Sequence, residues 1–224
     1  MRTLLFDIDG TLLLTHGGGS AALKLAIQRE FGLETARLEV DFSGRTDRSL
    51  LVEVLQQNNL PTDHEHQERL RNRYESLFPQ VLAHRGGRVL PGAVELLNRL
   101  SLQTELRCYV MTGNLYVTAT HKLDHFGLLH FFRGVFGGDH DAERIRLAQR
   151  TAGAIRDHAG EAATRDMVVI GDTPADIRCG HAIGAKVVAV CTGSHDRAAL
   201  EAEKPLSVQD DMSDVSAIFD LLMA

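Results

Sequence analysis

Four short apolar runs rich in β-branched or aromatic residues, at positions 3–6, 106–111, 167–170 and 186–190, constrain this chain more than any other feature. They lack the apolar–polar alternation of a half-exposed strand, so each reads as a parallel strand covered on both faces. Helical periodicity fills the segments between them, at 93–100, 116–126, 142–158 and 175–183, and a weaker strand fits at 133–136. Strand and helix in alternation require right-handed crossovers, which build a doubly wound, Rossmann-like parallel sheet of the α/β class.

Residues 15–87 break the rhythm, with helical patterns at 20–31, 48–58 and 64–83 and no convincing strand. The expected division is therefore an α/β core from residues 1–14 and 88–224, with residues 15–87 as an inserted helical module. A length of 224 residues suits one core plus such a module. Gly17-Gly18-Gly19 and Gly86-Gly87 mark its borders and are expected to act as hinges.

In an open α/β sheet the ligand crevice lies beyond the carboxyl ends of the strands. Here those positions are polar: Asp7-Ile8-Asp9, then Thr112-Gly113-Asn114, then Gly171-Asp172-Thr173-Pro174-Ala175-Asp176. Carboxylates gathered at one edge repel one another unless a cation holds them, and hard oxygen donors without His or Cys favour Mg²⁺ over zinc. Mg²⁺ takes one or two protein carboxylates and completes its shell with water and phosphate oxygen, which points to phosphoryl chemistry. Local roles compete with this reading. Asp9-Gly10 is a turn dipeptide, and Asp172 is placed to cap the helix that begins at Pro174.

In order and spacing, Asp7-x-Asp9-Gly10-Thr11-Leu12, Thr112 and Gly171-Asp172-x-x-x-Asp176 resemble the signature of the haloacid dehalogenase superfamily. The helical insertion after the first motif is similar to the cap of its phosphoglycolate phosphatase-like members, so the resemblance covers nearly the whole chain. It implies a phosphatase in which Asp7 attacks phosphorus to form an aspartyl-phosphate and Asp9 is the general acid and base. It further implies that Thr112 donates to a phosphoryl oxygen, with Asn114 and the amides around Gly113 as additional donors. Mg²⁺ would be held by Asp7, the Asp9 backbone carbonyl and Asp172, with Asp176 bound through water or standing behind. A sugar phosphomutase and a non-catalytic binding member of the same superfamily remain as alternatives.

One departure matters. The lysine usual in the superfamily a few residues after Gly137-Gly138-Asp139 is absent; Arg144 stands at about that place, with Arg146 behind it. Lys122 follows Thr112 by ten residues. Arg144 is preferred, because a helix carries Lys122 about three turns from the strand end. In the insertion, Phe42-Ser43-Gly44-Arg45-Thr46-Asp47 resembles the substrate-facing loop of phosphatases with this cap type. Arg45 is then a candidate for an anionic substrate tail, while Thr46 or Asp47 suits the N-cap of the next helix. Gly17 to Ser20 and Arg48 are weaker candidates for the same surface. Lys24, the only lysine in the insertion, sits in an ordinary helical pattern, which argues against Schiff-base chemistry.

Thirty acidic against twenty-four scattered basic side chains, a net charge of −6, argue against a nucleic-acid partner. No apolar run is long enough to span a bilayer, and the chain enters its first strand without a leader-like segment. Three cysteines, Cys108, Cys179 and Cys191, have no metal-like spacing and fit a reducing compartment. The expectation is a cytoplasmic enzyme, without membrane or nucleic-acid partners, whose substrate is a small-molecule phosphate ester.

Overall fold

Leu4, Leu5 and Phe6 are apolar to both sides of the chain, and this places their strand at the centre of a sheet. The computed structural model, which describes residues 2–224, has β1 at Arg2–Phe6, with these three side chains fully buried. The chain continues through β2 (Leu13–Leu14), three helices α1 (Gly18–Phe31), α2 (Asp47–Gln57) and α3 (His64–Arg85), and β3 (Arg88–Val89). Then follow α4 (Ala93–Ser101), β4 (Leu106–Met111), α5 (Tyr116–His125), β5 (Val135–Phe136) and α6 (Arg144–Ala159). Next are β6 (Met167–Gly171), α7 (Pro174–Ala182), β7 (Lys186–Val190), α8 (Arg197–Ala202), β8 (Ser207–Gln209) and α9 (Val215–Met223).

Six strands form a parallel sheet in the order β5-β4-β1-β6-β7-β8. Alternation along β1 sends Leu4 and Phe6 to one face, where Leu96 and Leu97 of α4, Leu123 of α5 and Leu222 of α9 cover them. Leu5 faces Leu147 and Ile155 of α6, Ile177 of α7 and Leu200 of α8. Each such side chain contributes roughly 1.5–3 kcal/mol on full burial. From β1 the path turns to β4 and β5 on one side, then crosses back to β6 and β7 on the other. The strand order therefore switches at β1, and a crevice opens at its carboxyl end, where Asp7 is the next residue.

Helices α1, α2 and α3 pack around a separate cluster that includes Ile27, Val54, Leu55, Leu70 and Phe78. At its border Gly18 and Gly19 form the first turn of α1, while Gly17, with φ 76°, is its N-cap and Gly86, with φ 67°, is the C-cap of α3. The two crossings are also tied together by a short antiparallel ladder, Leu13 with Val89 and Leu14 with Arg88. Two-residue strands carry no periodicity, so nothing in the sequence announces them. Among the described residues no helix is long and apolar enough to cross a membrane.

Candidate functional site

Asp7, Asp172 and Asp176 are buried, and each offers a carboxylate oxygen within 4.8 Å of the others. Asp7 is held by extension of the ladder, its N–H donating to the Ile170 carbonyl at 2.9 Å. Asp172 follows β6 and accepts from Thr11 Oγ1 at 2.9 Å. Gly10 arches over it with φ +85°; a Cβ there would lie 2.3 Å from Asp172 Oδ2, so a side chain at this turn would collide with the carboxylate. Asp176 sits in the first turn of α7 in a capping box: Thr173 N and Oγ1 donate to its Oδ2 at 3.1 and 2.7 Å, and its own N–H donates to Thr173 Oγ1 at 3.1 Å. The cap of α7 is therefore Thr173 rather than Asp172, because Thr173 has the extended backbone that a cap needs. Asp172 is left for the carboxylate cluster.

Burial, followed by the charge on Asp176, pushes the Asp7 carboxyl up to about 8. Asp172 is raised well above the usual carboxylate range, again by burial first and by Asp176 next. Two cations oppose this at Asp7, Arg144 first and Lys122 after it. Arg144 Nη2 lies 3.4 Å from Asp7 Oδ1 and donates to Asp176 Oδ1. A single guanidinium against three carboxylates leaves negative charge uncompensated. Three hard oxygen donors with no imidazole or thiolate in the cluster fit a Mg²⁺ ion.

Asp9 belongs to a second group. Its Oδ2 accepts from Lys122 Nζ at 2.6 Å and from Asn114 Nδ2 at 2.7 Å, while Lys122 also donates to Asn114 Oδ1 at 2.6 Å. Asn114 thus turns its amide hydrogens to the carboxylate and its oxygen to the ammonium. Thr112 Oγ1 accepts from Asn114 Nδ2 at 2.8 Å and so keeps its own hydrogen for another acceptor. The expectation that α5 carries Lys122 too far from the strand end is wrong. Helical side chains lean toward the N-terminus, and Thr118, Ala119, Lys122 and Leu123 form the buried face of α5, which aims Lys122 at the sheet edge. The side chain of Lys122 is only 3% exposed, whereas Arg146 is 74% exposed beside Glu143 and stands away from the cluster.

The loop before α2 lies directly on the turn after β4. Thr46 is the N-cap, Asp47 N donates to the Gly113 carbonyl at 2.7 Å, and Asp47 Oδ2 accepts from Leu115 N at 2.9 Å. A Cβ on Gly113 would come within 1.9 Å of the Arg45 carbonyl, so the close approach requires glycine. Burial raises the Asp47 carboxyl to about 6. Between loop and sheet edge lies a cavity of about 570 Å³. It is lined by Asp7, Asp9, Thr112, Gly113, Asn114, Arg45, Arg144 and Asp172, but not by Asp176, which stands behind them. Gly17 and Ser20 also reach it, whereas Arg48 donates to the Asp139 carbonyl at 3.3 Å. Arg45 is paired with Glu53 of α2. Asp47 reaches the cavity from the loop already singled out, whereas Tyr74 lines it unannounced, since it meets the sheet edge only through packing of α3.

A family model described as haloacid dehalogenase-like hydrolase matches residues 4–190. A relative from Dickeya dadantii named "Probable phosphatase IndB" is 29% identical over 214 residues, covering 95% of this chain and 90% of its own. The phosphoglycolate phosphatase of Cereibacter sphaeroides is 29% identical over 193 residues, 83% of each chain. A crystal structure of a hydrolase from Pseudomonas syringae, 24% identical, shares the fold at a TM-score of 0.71 over 99% of both chains. With three carboxylates and an arginine at the switch point of a doubly wound sheet, and a family match over most of its length, the chain belongs to the haloacid dehalogenase-like hydrolases.

Proposed function

We propose that this protein is a Mg²⁺-dependent phosphatase that hydrolyses a small-molecule phosphate monoester through an aspartyl-phosphate on Asp7, with residues 15–87 acting as a cap over the core of residues 1–14 and 88–224. The observation that carries the reading is the position of Asp7. It follows the central strand, clusters with Asp172 and Asp176, and opens onto a cavity shared with Asp9 and Thr112. The relatives named phosphatases support the same class.

Asp7, Asp172 and the Asp9 carbonyl would hold Mg²⁺, with Asp176 behind, and the bound ion would neutralise charge on the transferring phosphoryl group. Asp7 attacks phosphorus, and the leaving oxygen takes a proton from Asp9, whose side chain is 37% exposed toward the cavity. Asp9 then accepts a proton from the water that hydrolyses the intermediate. Lys122 and Asn114 fix the Asp9 carboxylate for both steps, and Thr112 and the Gly113 amide donate to phosphoryl oxygens. Arg144 favours the ionised form of Asp7, which attack requires.

Purified protein with Mg²⁺ is expected to hydrolyse a generic aryl phosphate with stoichiometric release of inorganic phosphate, and a chelator should abolish the reaction. Activity untouched by chelation would sink the mechanism, and transfer to a second hydroxyl without phosphate release would indicate a mutase. Asp9→Asn should lower kcat by about 10²–10⁴-fold while Mg²⁺ still raises the melting temperature. Lys122→Met, which removes a positioning partner of Asp9, should lower kcat by about 10–100-fold at little-changed KM. Wild-type kcat in that variant would show that Asn114 alone orients Asp9.

A further inference from the structure

The basic residues that line the cavity are Arg45, Lys122 and Arg144, and each already has an acidic partner within the protein. Arg45 is paired with Glu53, Lys122 with Asp9, and Arg144 with Asp7 and Asp176. Beyond the residues assigned to the phosphoryl group, the lining adds two more carboxylates, Asp41 and Asp47. The remaining lining carries no further charge: Ser20, Ser43 and Tyr74 are among its hydroxyls, and Phe42 and Leu50 are among its apolar surface.

We infer that the leaving group accepted here is a polyhydroxylated molecule without an anionic group, and that the cavity discriminates against phosphate esters bearing a carboxylate. The inference deepens the phosphatase reading and rests on it. A carboxylate entering this cavity would lose hydration, meet no unpaired cation among the lining residues, and face Asp41 and Asp47. Hydroxyl groups instead find acceptors in those two carboxylates and both donors and acceptors in the serines and Tyr74. Size agrees: about 570 Å³ lies within the range that encloses molecules much larger than a two-carbon acid. The pairing of Arg45 with Glu53 is the central element, since it removes the cation best placed on the cap loop to receive an anionic tail.

The test compares kcat/KM, with Mg²⁺ present, for ribose 5-phosphate, phosphoglycolate, phosphoethanolamine and an aryl phosphate. Ribose 5-phosphate is expected to exceed phosphoglycolate by about tenfold or more, a difference of about 1.4 kcal/mol, while the ammonium of phosphoethanolamine, which Asp41 and Asp47 can accept, carries no such penalty. Glu53→Gln, which releases the Arg45 guanidinium, should raise kcat/KM for phosphoglycolate several-fold relative to ribose 5-phosphate, with melting curves reporting that the variant is folded. Phosphoglycolate turned over as well as the sugar phosphate would overturn the inference, as would an unchanged ratio in folded Glu53→Gln. In those cases turnover of the aryl phosphate leaves the phosphatase reading standing. If no ester is hydrolysed, that reading falls and the inference falls with it.

Discussion

Asp7→Asn should abolish turnover and, in the absence of metal, make the protein more stable above neutral pH. The amide cannot form an aspartyl-phosphate, so kcat on an aryl phosphate should fall on the order of 10⁵-fold or more. The stability effect follows from linkage. An aspartate in the unfolded chain ionises near 3.9, whereas burial and the Asp176 charge hold Asp7 near 8 in the fold. Between those values the folded state keeps a proton that the unfolded chain has lost, so stability falls as pH rises from about 4 to about 8. Above about 8 the whole deficit is present. Asparagine has no such titration. Metal-free Asp7→Asn should therefore melt above the wild type at pH 8–9 by at least about 2–4 °C, the equivalent of about 1 kcal/mol at this size. The gap should close toward pH 4. Melting below the wild type at pH 8 would mean that the ion pair with Arg144 outweighs the burial of Asp7, and retained turnover would remove Asp7 as nucleophile.

That Asp7 could be singled out from sequence follows from where doubly wound sheets put their ligands. β1, β4, β6 and β7 are apolar through both faces, which makes them recognisable, and the residues following β1, β4 and β6 then share one sheet edge. Elements without that double coverage stayed hidden. β8 is Ser-Val-Gln at the edge of the sheet, with all three residues partly covered, and α8 is only six residues long. α9 did carry a readable apolar pattern, with Ile218, Phe219 and Leu222 turned toward the core. In the site, the strand-end carboxylates and Thr112 were legible, but the reach of Lys122 was not inferred although a lysine on the inward face of α5 is its signal. Tyr74 belongs to another class, while Asp47 lay within the loop that resembles a substrate-facing one. The place of Tyr74 at the cavity depends on how α3 settles on the sheet edge, a long-range contact with no local signature.

Arg144→Leu should have the opposite effect on stability from Asp7→Asn and a comparably severe effect on activity. Arg144 is about where the superfamily's lysine is expected, yet an arginine on the first turn of a helix is ordinarily solvated. Here its side chain is 10% exposed and contacts both Asp7 and Asp176. Removing one partner from a buried ionic cluster strands the other charges, at a cost of about 3–5 kcal/mol. The metal-free variant should melt roughly 10 °C or more below the wild type at pH 8. Because the stranded carboxylates relieve their repulsion by binding protons, the loss should shrink as pH falls toward 5, whereas loss of a pair between permanently charged groups would not change with pH. Mg²⁺ should restore part of it by mass action, since the ion supplies positive charge to the same carboxylates. Arg144→Lys keeps a cation without the planar fork and should fall between the two, in stability and in kcat. A metal-free Arg144→Leu that melts within about 1–2 °C of the wild type would return Arg144 to the ordinary helix surface, where substitutions change stability by no more than about 0.5 kcal/mol.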